Sequence, residues 1–341
     1  MNDFEHIGGR PGPGWISLAA DGELARRAER ALAIAERCGL CPRNCRADRP
    51  SGIGGACGAG ASHLAAVSST VPHFGEEPPL VGTGGSGTVF FAGCSLRCRF
   101  CQNYQISHLS LAEMENSGVQ FLDADQLAQR FLSLQESGCH NLNLVTATPY
   151  LPAILYALEL AGKRGCVLPV VWNSGGYETP ETLALLDGVV DIYLPDMKFG
   201  SDRDAAELTD SRDYVEINRA AVAEMFRQAG LLELDERGVA IRGLIVRHLI
   251  LPAGLAGTRQ VLEFLALEVS RYVHLSLMSQ YWPALKAAGA PDLDRPVTRR
   301  EYDEAVALLD EYGFENGWVQ ALESRENYCP DFTRPDPFQK P

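Results

Sequence analysis

The chain has 341 residues, of which 46% are hydrophobic and 22% charged, so it is long enough to bury a core of its own. Acidic residues outnumber basic ones by 44 to 30, and the net charge of −14 disfavours binding to a phosphate backbone. The sequence shows no apolar run of signal-peptide or membrane-spanning length. We therefore expect a cytoplasmic globular protein without a nucleic-acid or membrane partner.

The N-terminal part of the chain combines a predicted helix with a cysteine-rich loop. Strong helix formers with apolar residues at helical spacing predict a helix over Asp21–Arg37. Glycine and proline are too frequent between Cys38 and Gly60 for a helix or a strand. Prolines also interrupt the segment from His63 to Gly82, where we predict no regular element.

From Gly87 onward, short apolar runs alternate with helical patterns. The predicted strands are Thr88–Gly93, Asn141–Pro149, Val167–Gly175, Val189–Phe199, Gly243–Pro252 and Tyr272–Tyr281, with Trp318–Leu322 as a candidate extra strand. The helices predicted to follow them are Asp123–Ser137, Leu151–Arg164, Pro180–Leu186, Arg212–Gln228, Thr258–Val269 and Arg299–Glu311. This alternation predicts an α/β fold with a parallel sheet.

Six βα units are fewer than the eight of a full TIM barrel and predict a partial (β/α)6 barrel. We expect an N-terminal extension over residues 1–82, the barrel over residues 83–325 and a C-terminal tail over residues 326–341 that is loosely ordered or lies over the surface. Ligands of such sheets collect at the C-terminal ends of the strands. Polar residues at those ends are therefore the candidates for a binding site.

Ten cysteines are the unusual feature of the composition. A long chain without an export signal favours metal ligation over a disulfide framework. Two groups at short spacing account for seven of the ten. The other three, Cys139, Cys166 and Cys329, are isolated, and we expect them to have no role at the site.

The first group follows the first predicted strand directly. Cys94, Cys98 and Cys101 form a C-x3-C-x2-C arrangement. Three thiolates on one loop can hold three irons of a [4Fe–4S] cluster and leave the fourth iron open to another ligand. The aromatic Phe100 is placed to shield such a cluster from water. The alternatives are a structural zinc loop with a fourth ligand elsewhere, or three unrelated buried thiols.

The second group lies in the glycine- and proline-rich loop. Its members are Cys38, Cys41, Cys45 and Cys57. Four soft ligands are a full set for a structural zinc ion or for a second iron–sulfur cluster, and the spacing does not decide between the two, although we slightly prefer the cluster. Arg43, Arg46 and Arg49 are interleaved with them, and positive charge beside thiols favours thiolates and metal binding.

A strand followed by Cys-x3-Cys-x2-aromatic-Cys and by βα repeats resembles the radical S-adenosylmethionine (SAM) superfamily. The CGLCPRNC and GCSLRCRFCQNYQIS segments, with LVTATPYLPAIL, VVWNSGGYE, DIYLPDMKF, GLIVRHLILP and SLMSQYWP, resemble its pyruvate formate-lyase-activating-enzyme-like subgroup from Cys38 to Pro283. The resemblance implies a [4Fe–4S] cluster that chelates SAM and cleaves it reductively to methionine and a 5′-deoxyadenosyl radical. It also implies a reductant such as flavodoxin or ferredoxin.

The resemblance further implies which strand ends meet SAM. Activating enzymes carry a Gly-Gly-Glu-type motif after the second strand, where this chain has Thr146-Ala147-Thr148-Pro149. The Thr146 and Thr148 hydroxyls are candidates for the same contacts. Asn173 and Ser174, which end the third strand, are candidates for the ribose or carboxylate of SAM, and ordinary turn polars are the alternative.

The next two strand ends carry charged candidates. Asp196 and Lys198 share one face of the fourth strand, and an Asp-x-Lys at this place meets SAM in the activases, with a plain ion pair as the alternative. Arg247 interrupts the apolar fifth strand and suits the SAM carboxylate or an acidic substrate, whereas His248 points to the opposite face as a packing residue.

Tyr104, three residues after the last cysteine of the loop, is a candidate for packing on the adenine, and an ordinary core or surface role is the alternative.

Three functions follow from these observations. The first is a radical SAM enzyme that abstracts hydrogen from a protein or peptide, as an activase does when it creates a glycyl radical on a partner. The second keeps this chemistry but acts on a small molecule. The third is a non-enzymatic iron–sulfur or zinc protein, which an open iron site argues against.

Overall fold

The computed structural model describes residues 6–7, 10–209, 211–284, 287, 292–326, 330–334 and 336–338. Cys329 therefore lies outside the described residues, and the prediction for it stays a prediction. Within these ranges, every helix is too short or too polar to cross a bilayer.

A ten-stranded sheet forms the framework. Its strands are β3 (Ala65–His73), β4 (Ser86–Phe91), β5 (Gln120–Leu122), β6 (Leu142–Val145), β7 (Val170–Ser174), β8 (Ile192–Pro195), β9 (Glu233–Leu234), β10 (Ala240–Leu249), β11 (His274–Met278) and β12 (Gly317–Val319). They lie side by side in the order β12-β11-β10-β8-β7-β6-β4-β3-β5, with β9 paired to β10. A separate hairpin pairs β1 (His6–Ile7) with β2 (Arg10–Pro11).

The pairings from β4 through β6, β7, β8, β10, β11 and β12 are all parallel. This run contains the six predicted strands and the candidate extra strand Trp318–Leu322, which contributes β12. The mixed α/β class with a parallel-rich sheet is thus confirmed. In the described chain the sheet ends at β5 on one side and at β12 on the other.

Helices pack against both faces of the sheet. They are α1 (Trp15–Ala20), α2 (Glu23–Ala35), α3 (Pro78–Val81), α4 (Tyr104–Ser107), α5 (Leu111–Glu115), α6 (Ala124–Glu136), α7 (Leu151–Lys163), α8 (Pro180–Leu186), α9 (Asp202–Thr209), α10 (Tyr214–Ala229), α11 (Thr258–Phe264) and α12 (Arg299–Tyr312). The α11 helix continues in π-helical form over Leu265–Ser270. Asp123 and Thr298 begin α6 and α12 with capping boxes, which satisfy the first free amides of each helix.

Alternation along the strands separates two buried layers. Trp172 and Tyr193 belong to the main core beneath the helices. Their neighbours Val171, Ile192 and Leu194 pack on the opposite face in a small cluster closed by Leu80. Because side chains alternate with a period of two, residues further along this second face point into the space above that cluster. The functional candidates lie there.

Three strands of the sheet, β3, β5 and β9, were not predicted from the sequence. The segment from His63 to Gly82 contains β3, which pairs antiparallel with both β4 and β5. Pro72 lies within this strand opposite Gly87. Because proline has no amide hydrogen to donate, its presence argues against a strand in the sequence. Since β3 belongs to the sheet, the framework crosses the predicted boundary between residues 82 and 83.

Candidate functional site

A cavity of about 450 Å³ lies at the C-terminal edge of the parallel strands. Its wall includes side chains that follow or end six neighbouring strands: Phe90, Val145, Asn173, Asp196, Arg247 and Met278. The strands place them together because their C-terminal ends meet at one edge. Most of the site candidates taken from the sequence contribute to this one cavity.

Cys94, Cys98 and Cys101 all line the cavity. The Ser107 hydroxyl donates to the Cys101 sulfur at 3.2 Å, and the Leu96 amide donates to the Cys94 sulfur at 3.4 Å. These donors favour thiolates over thiols as the ligating species. The three sulfurs thus share one cavity and have polar donors directed at them.

The cysteine loop is held from three sides. Arg97 adopts a left-handed backbone, with φ of 50°, and its guanidinium donates to the His108 carbonyl at 2.5 Å. Arg43 donates to the carbonyl oxygens of Ser95 at 2.7 Å and Thr209 at 2.5 Å. These bonds fix backbone atoms around Cys98 and hold the cysteine loop in place.

Burial makes the loop thiols poor acids on their own. It raises the pKa of Cys101 to about 11 and that of Cys98 further, although Lys198 acts in the opposite direction on both. Phe100, buried between the rings of Phe199 and Tyr281, closes the apolar side. Iron ligation supplies the charge that stabilises thiolates in such a place, so the donor set fits an iron–sulfur cluster.

Asp196 and Lys198 form the charged pair predicted from their shared parity. The Lys198 ammonium lies 2.5 Å from the Asp196 carboxylate, and both groups line the cavity. Burial opposes the charge of Lys198, but Asp196 and Cys98 raise its pKa above the usual range. The ammonium therefore stays protonated beside the cysteine loop.

Helix α10 positions the backbone at this strand end, a contribution that the sequence did not reveal. The Tyr214 hydroxyl accepts from the Lys198 amide at 3.0 Å and donates to the Gly175 carbonyl at 2.9 Å. Asn218 donates to the carbonyls of Gly176 and Asp196, both at 3.0 Å. These bonds tie the ends of β7 and β8 together.

Thr146, Asn173 and Ser174 also line the cavity. Thr146 has a left-handed backbone with φ of 61°, and its amide donates to the Asn173 carbonyl at 2.9 Å. Asn173 and Ser174 are buried at the end of β7. The structure therefore brings these three candidates together in the lining of one cavity.

Thr148 requires a correction, because it lies outside the cavity wall. The left-handed residue Thr146 ends the strand alternation, and the chain turns into a 3-10 helix over Thr148–Tyr150. The Thr148 hydroxyl then donates to the buried Glu178 carboxylate at 3.0 Å. Burial raises the pKa of Glu178 to about 7, against the opposing bonds from Ser174 and Thr148.

Tyr104 likewise lies outside the cavity wall. Asn103, Ile106 and Ser107 share one face of the helical turn α4 and line the cavity. Tyr104 belongs to the same turn but is not among the lining residues. The predicted adenine contact is thus not supported by its position.

Arg247 lines the cavity as expected, but its charge is already balanced. Its Nε and Nη2 donate to the Glu77 carboxylate at 2.8 and 2.6 Å, and Nη2 also contacts Glu76. Burial opposes ionisation of Glu77, yet the guanidinium holds the pKa of that carboxyl below its usual value. His248, on the opposite face, is buried and bonded to the Met197 carbonyl and the Thr258 hydroxyl. Arg247 is therefore part of an acidic network rather than a free anion receptor.

The C-terminal segment reaches the same cavity. Phe338 stacks on His73 with ring centroids 3.9 Å apart, and Phe332 meets Phe90 at 5.3 Å. Pro330 and Phe338 line the cavity. The described part of the tail therefore covers one side of the site, which its proline content alone did not indicate.

The four N-terminal cysteines occupy a compact loop beside the cavity. Cys38, Cys41 and Cys57 are buried, while Cys45 is exposed. Cys139 and Cys166 lie apart from both groups as free, buried thiols. Among the described residues, no three His, Cys, Asp or Glu side chains form a group that could hold a single metal ion. A cluster of four irons is wider than one ion and takes its ligands at separate corners.

A parallel α/β sheet with a three-cysteine loop after its first parallel strand defines the class of enzymes that cleave SAM by radical chemistry. Residues 88–234 match the family model of the radical SAM superfamily. An uncharacterized protein of Methanocaldococcus jannaschii is 32% identical over 318 residues, which cover 92% of this chain and 83% of that protein. The chain belongs to the radical SAM superfamily.

Membership identifies the chain as an enzyme with a [4Fe–4S] cluster and SAM as its cofactors. When bound, these cofactors supply the one-electron cleavage that yields methionine and a 5′-deoxyadenosyl radical. The protein's own groups provide the enclosure: Phe100 and Leu96 exclude water from the cysteine side, and Asp196 and Lys198 offer a paired charge beside Cys98.

Proposed function

We propose that this enzyme abstracts a hydrogen atom from a protein or peptide, in the manner of the activating enzymes. The observation that carries the proposal is that a polypeptide segment already lies at the cavity: Pro330 and Phe338 of the chain's own tail line it. A site that accepts an extended segment beside the cysteine loop suits a substrate loop from a partner. The proposal includes curvature of the sheet into a partial barrel and reduction by a flavodoxin or ferredoxin.

Within this proposal, Thr146, Asn173, Ser174, Asp196 and Lys198 hold SAM. The support is their common position on the cavity wall next to Cys98. Asn173 and Ser174 offer amide and hydroxyl groups, and the Asp196–Lys198 pair offers both a hydrogen-bond acceptor and donors. These groups match the amino, carboxylate and ribose groups of SAM.

A small-molecule substrate is the second candidate, and the acidic network favours it. Glu76 and Glu77 carry two carboxylates against the single guanidinium of Arg247, and all three side chains are largely buried at the cavity wall. An enclosed wall with an excess of negative charge suits a small substrate that carries an amine. In this case the tail closes the cavity over the substrate.

Deuterium transfer distinguishes the two substrates. An extract of cells grown on deuterated medium is separated by ultrafiltration into macromolecules and small molecules, and each fraction is incubated with the reconstituted enzyme, SAM and dithionite. Deuterium in 5′-deoxyadenosine from the macromolecular fraction supports the protein substrate. Deuterium from the small-molecule fraction alone contradicts it and supports the alternative. Cys98→Ala, which removes a predicted cluster ligand, is the control for background exchange.

We also propose that Cys38, Cys41, Cys45 and Cys57 hold a second metal centre, as an auxiliary [4Fe–4S] cluster or, alternatively, as zinc. The support is that three of the four are buried in a glycine- and proline-rich loop without regular structure. Such a loop has little apolar core of its own, and metal ligation is the common way to hold one together.

A further inference from the structure

Arg49 is the most unusual charged residue of the described chain. Its relative exposure is 0%, and no other Arg or Lys among the described residues is as completely buried. Its Nε donates to the Gly60 carbonyl at 2.7 Å and its Nη1 to the Pro149 carbonyl at 2.5 Å. Its Nη2 is buried without a hydrogen-bond partner. A buried guanidinium with two neutral acceptors and no carboxylate leaves a charge uncompensated.

The nearest candidate source of negative charge is the N-terminal cysteine loop. Arg49 interacts electrostatically with Cys57 and lies over the Tyr150 ring, with 6.0 Å between its Cζ and the ring centroid. Cys57 itself is buried. The guanidinium is therefore placed against the four-cysteine group and not against bulk solvent.

Burial raises the pKa of Cys41 and Cys57, and hydrogen-bond donors in the loop act in the opposite direction. The backbone amide two positions after each of Cys41, Cys45 and Cys57 donates a hydrogen bond to that cysteine. A Cβ at Gly55 would lie 3.4 Å from the Cys45 sulfur and 3.5 Å from the Cys57 sulfur, so this glycine leaves room where two sulfurs approach. Donors directed at sulfur stabilise thiolates.

We infer that Arg49 is the buried counter-ion of a metal–thiolate centre formed by Cys38, Cys41, Cys45 and Cys57. This inference rests on the second metal centre proposed above and adds its charge partner. Four thiolates around Zn²⁺, or around an oxidised [4Fe–4S] core, leave a net charge of about −2. The charge is the same for both metals, so the role of Arg49 does not depend on which one binds.

The inference predicts a reciprocal dependence between metal and arginine. With metal bound, Arg49 stabilises the anionic centre, and its loss weakens metal retention by about 10- to 100-fold. Without metal, Arg49 is an unpaired buried charge, so replacing it by an apolar residue makes the metal-free protein more stable rather than less. A residue that only supports packing would lower stability in both states.

The test uses the full chain with Cys94, Cys98 and Cys101 all changed to alanine, so that any bound metal belongs to the N-terminal group. Arg49→Met removes the charge, Arg49→Lys retains it, and Arg30→Met removes an exposed arginine of helix α2 as a control. Each protein is loaded anaerobically with iron and sulfide, or with zinc alone. Metal per chain, its loss to a chelator and the urea midpoint of the metal-free form are then measured.

We expect Arg49→Met to lose metal at least about tenfold faster than Arg30→Met, Arg49→Lys to retain it, and metal-free Arg49→Met to unfold at higher urea than its metal-free parent. Retention by Arg49→Met equal to that of Arg30→Met overturns the inference, as does equal loss from Arg49→Lys and Arg49→Met. A parent that holds no metal removable by Cys38→Ala/Cys41→Ala overturns the second metal centre itself.

Discussion

The backbone amide of Cys94 donates a hydrogen bond to the carbonyl oxygen of Cys57, with 3.2 Å between nitrogen and oxygen. This bond joins the first cysteine of the C-x3-C-x2-C loop to the last cysteine of the N-terminal group. Arg97 adds a contact to the Ala56 carbonyl at 3.4 Å. The two cysteine groups are thus neighbours in space, although 36 residues lie between Cys57 and Cys94 in the sequence.

The first prediction concerns this junction. Gly93 has φ of 79°, and a Cβ there would lie 2.3 Å from the Cys57 carbonyl oxygen. Gly93→Ala must therefore separate the two loops or distort the backbone, and we expect a loss of about 2 to 4 kcal/mol in the free energy of unfolding. Urea denaturation measures this loss, and iron per chain reports on the cysteine loop. Gly118→Ala, where a Cβ meets nothing within 4 Å, is the control. Equal stability of the two variants would contradict the close contact.

The second prediction concerns the pair of Arg247 and Glu77. Both are largely buried, and the guanidinium bonds the carboxylate through two nitrogens. Arg247→Met leaves the carboxylates of Glu76 and Glu77 without their buried partner and should cost about 3 to 5 kcal/mol, whereas Glu77→Gln leaves the guanidinium paired with Glu76 and should cost less. The double variant should cost at least about 1 kcal/mol less than the sum of the two. A double-mutant cycle by denaturation measures the coupling, and strict additivity would show that the pair does not act as a unit.

The third prediction concerns pH. Burial raises the pKa of Glu178 from 4.5 to about 7. A folded state that holds the proton more tightly than the unfolded chain loses stability as pH rises from about 4.5 to about 7, and the loss is complete above that range. Glu178→Gln removes this dependence, so the variant should gain up to about 3 kcal/mol relative to wild type across the window. Asp191, whose pKa burial also raises to about 7, titrates in both proteins and cancels in the difference. A pH-independent difference between the two proteins would contradict the assignment.

The fourth prediction concerns SAM. If Lys198 contributes to its binding, Lys198→Met should weaken SAM affinity at least about tenfold, because a charged donor is lost and Asp196 is left unpaired. Equilibrium dialysis of labelled SAM against anaerobically reconstituted protein measures the change. Lys163→Met breaks another lysine ion pair, with Glu159 at 2.6 Å, and serves as the control. Affinities within twofold of each other would remove Lys198 from the SAM site.

The parallel framework could be predicted because its signals are local. Apolar β-branched runs marked the strands, and the capping residue Asp123 marked the start of α6. Alternation also placed Asp196 and Lys198 on one side of their strand and separated Arg247 from His248. These predictions needed no knowledge of distant contacts.

The missed features depend on contacts between distant parts of the chain. Glu77 lies 170 residues before Arg247, in a segment whose prolines concealed β3. The position of Thr148 outside the cavity wall has a local cause, because the left-handed backbone of Thr146 ends the alternation on which a strand-end prediction depends. Arg49 was noted as one of three basic residues near thiols, but its complete burial follows from packing against Pro149 and Tyr150.

The central claim is that Cys94, Cys98 and Cys101 support radical cleavage of SAM in the cavity at the strand ends. Its most direct test measures 5′-deoxyadenosine after dithionite reduction of the anaerobically reconstituted enzyme with SAM, beside Cys98→Ala under the same conditions. We predict that the wild-type enzyme forms 5′-deoxyadenosine and that Cys98→Ala forms none above background. Equal formation by the two proteins, or none by iron-loaded wild type, would contradict the account.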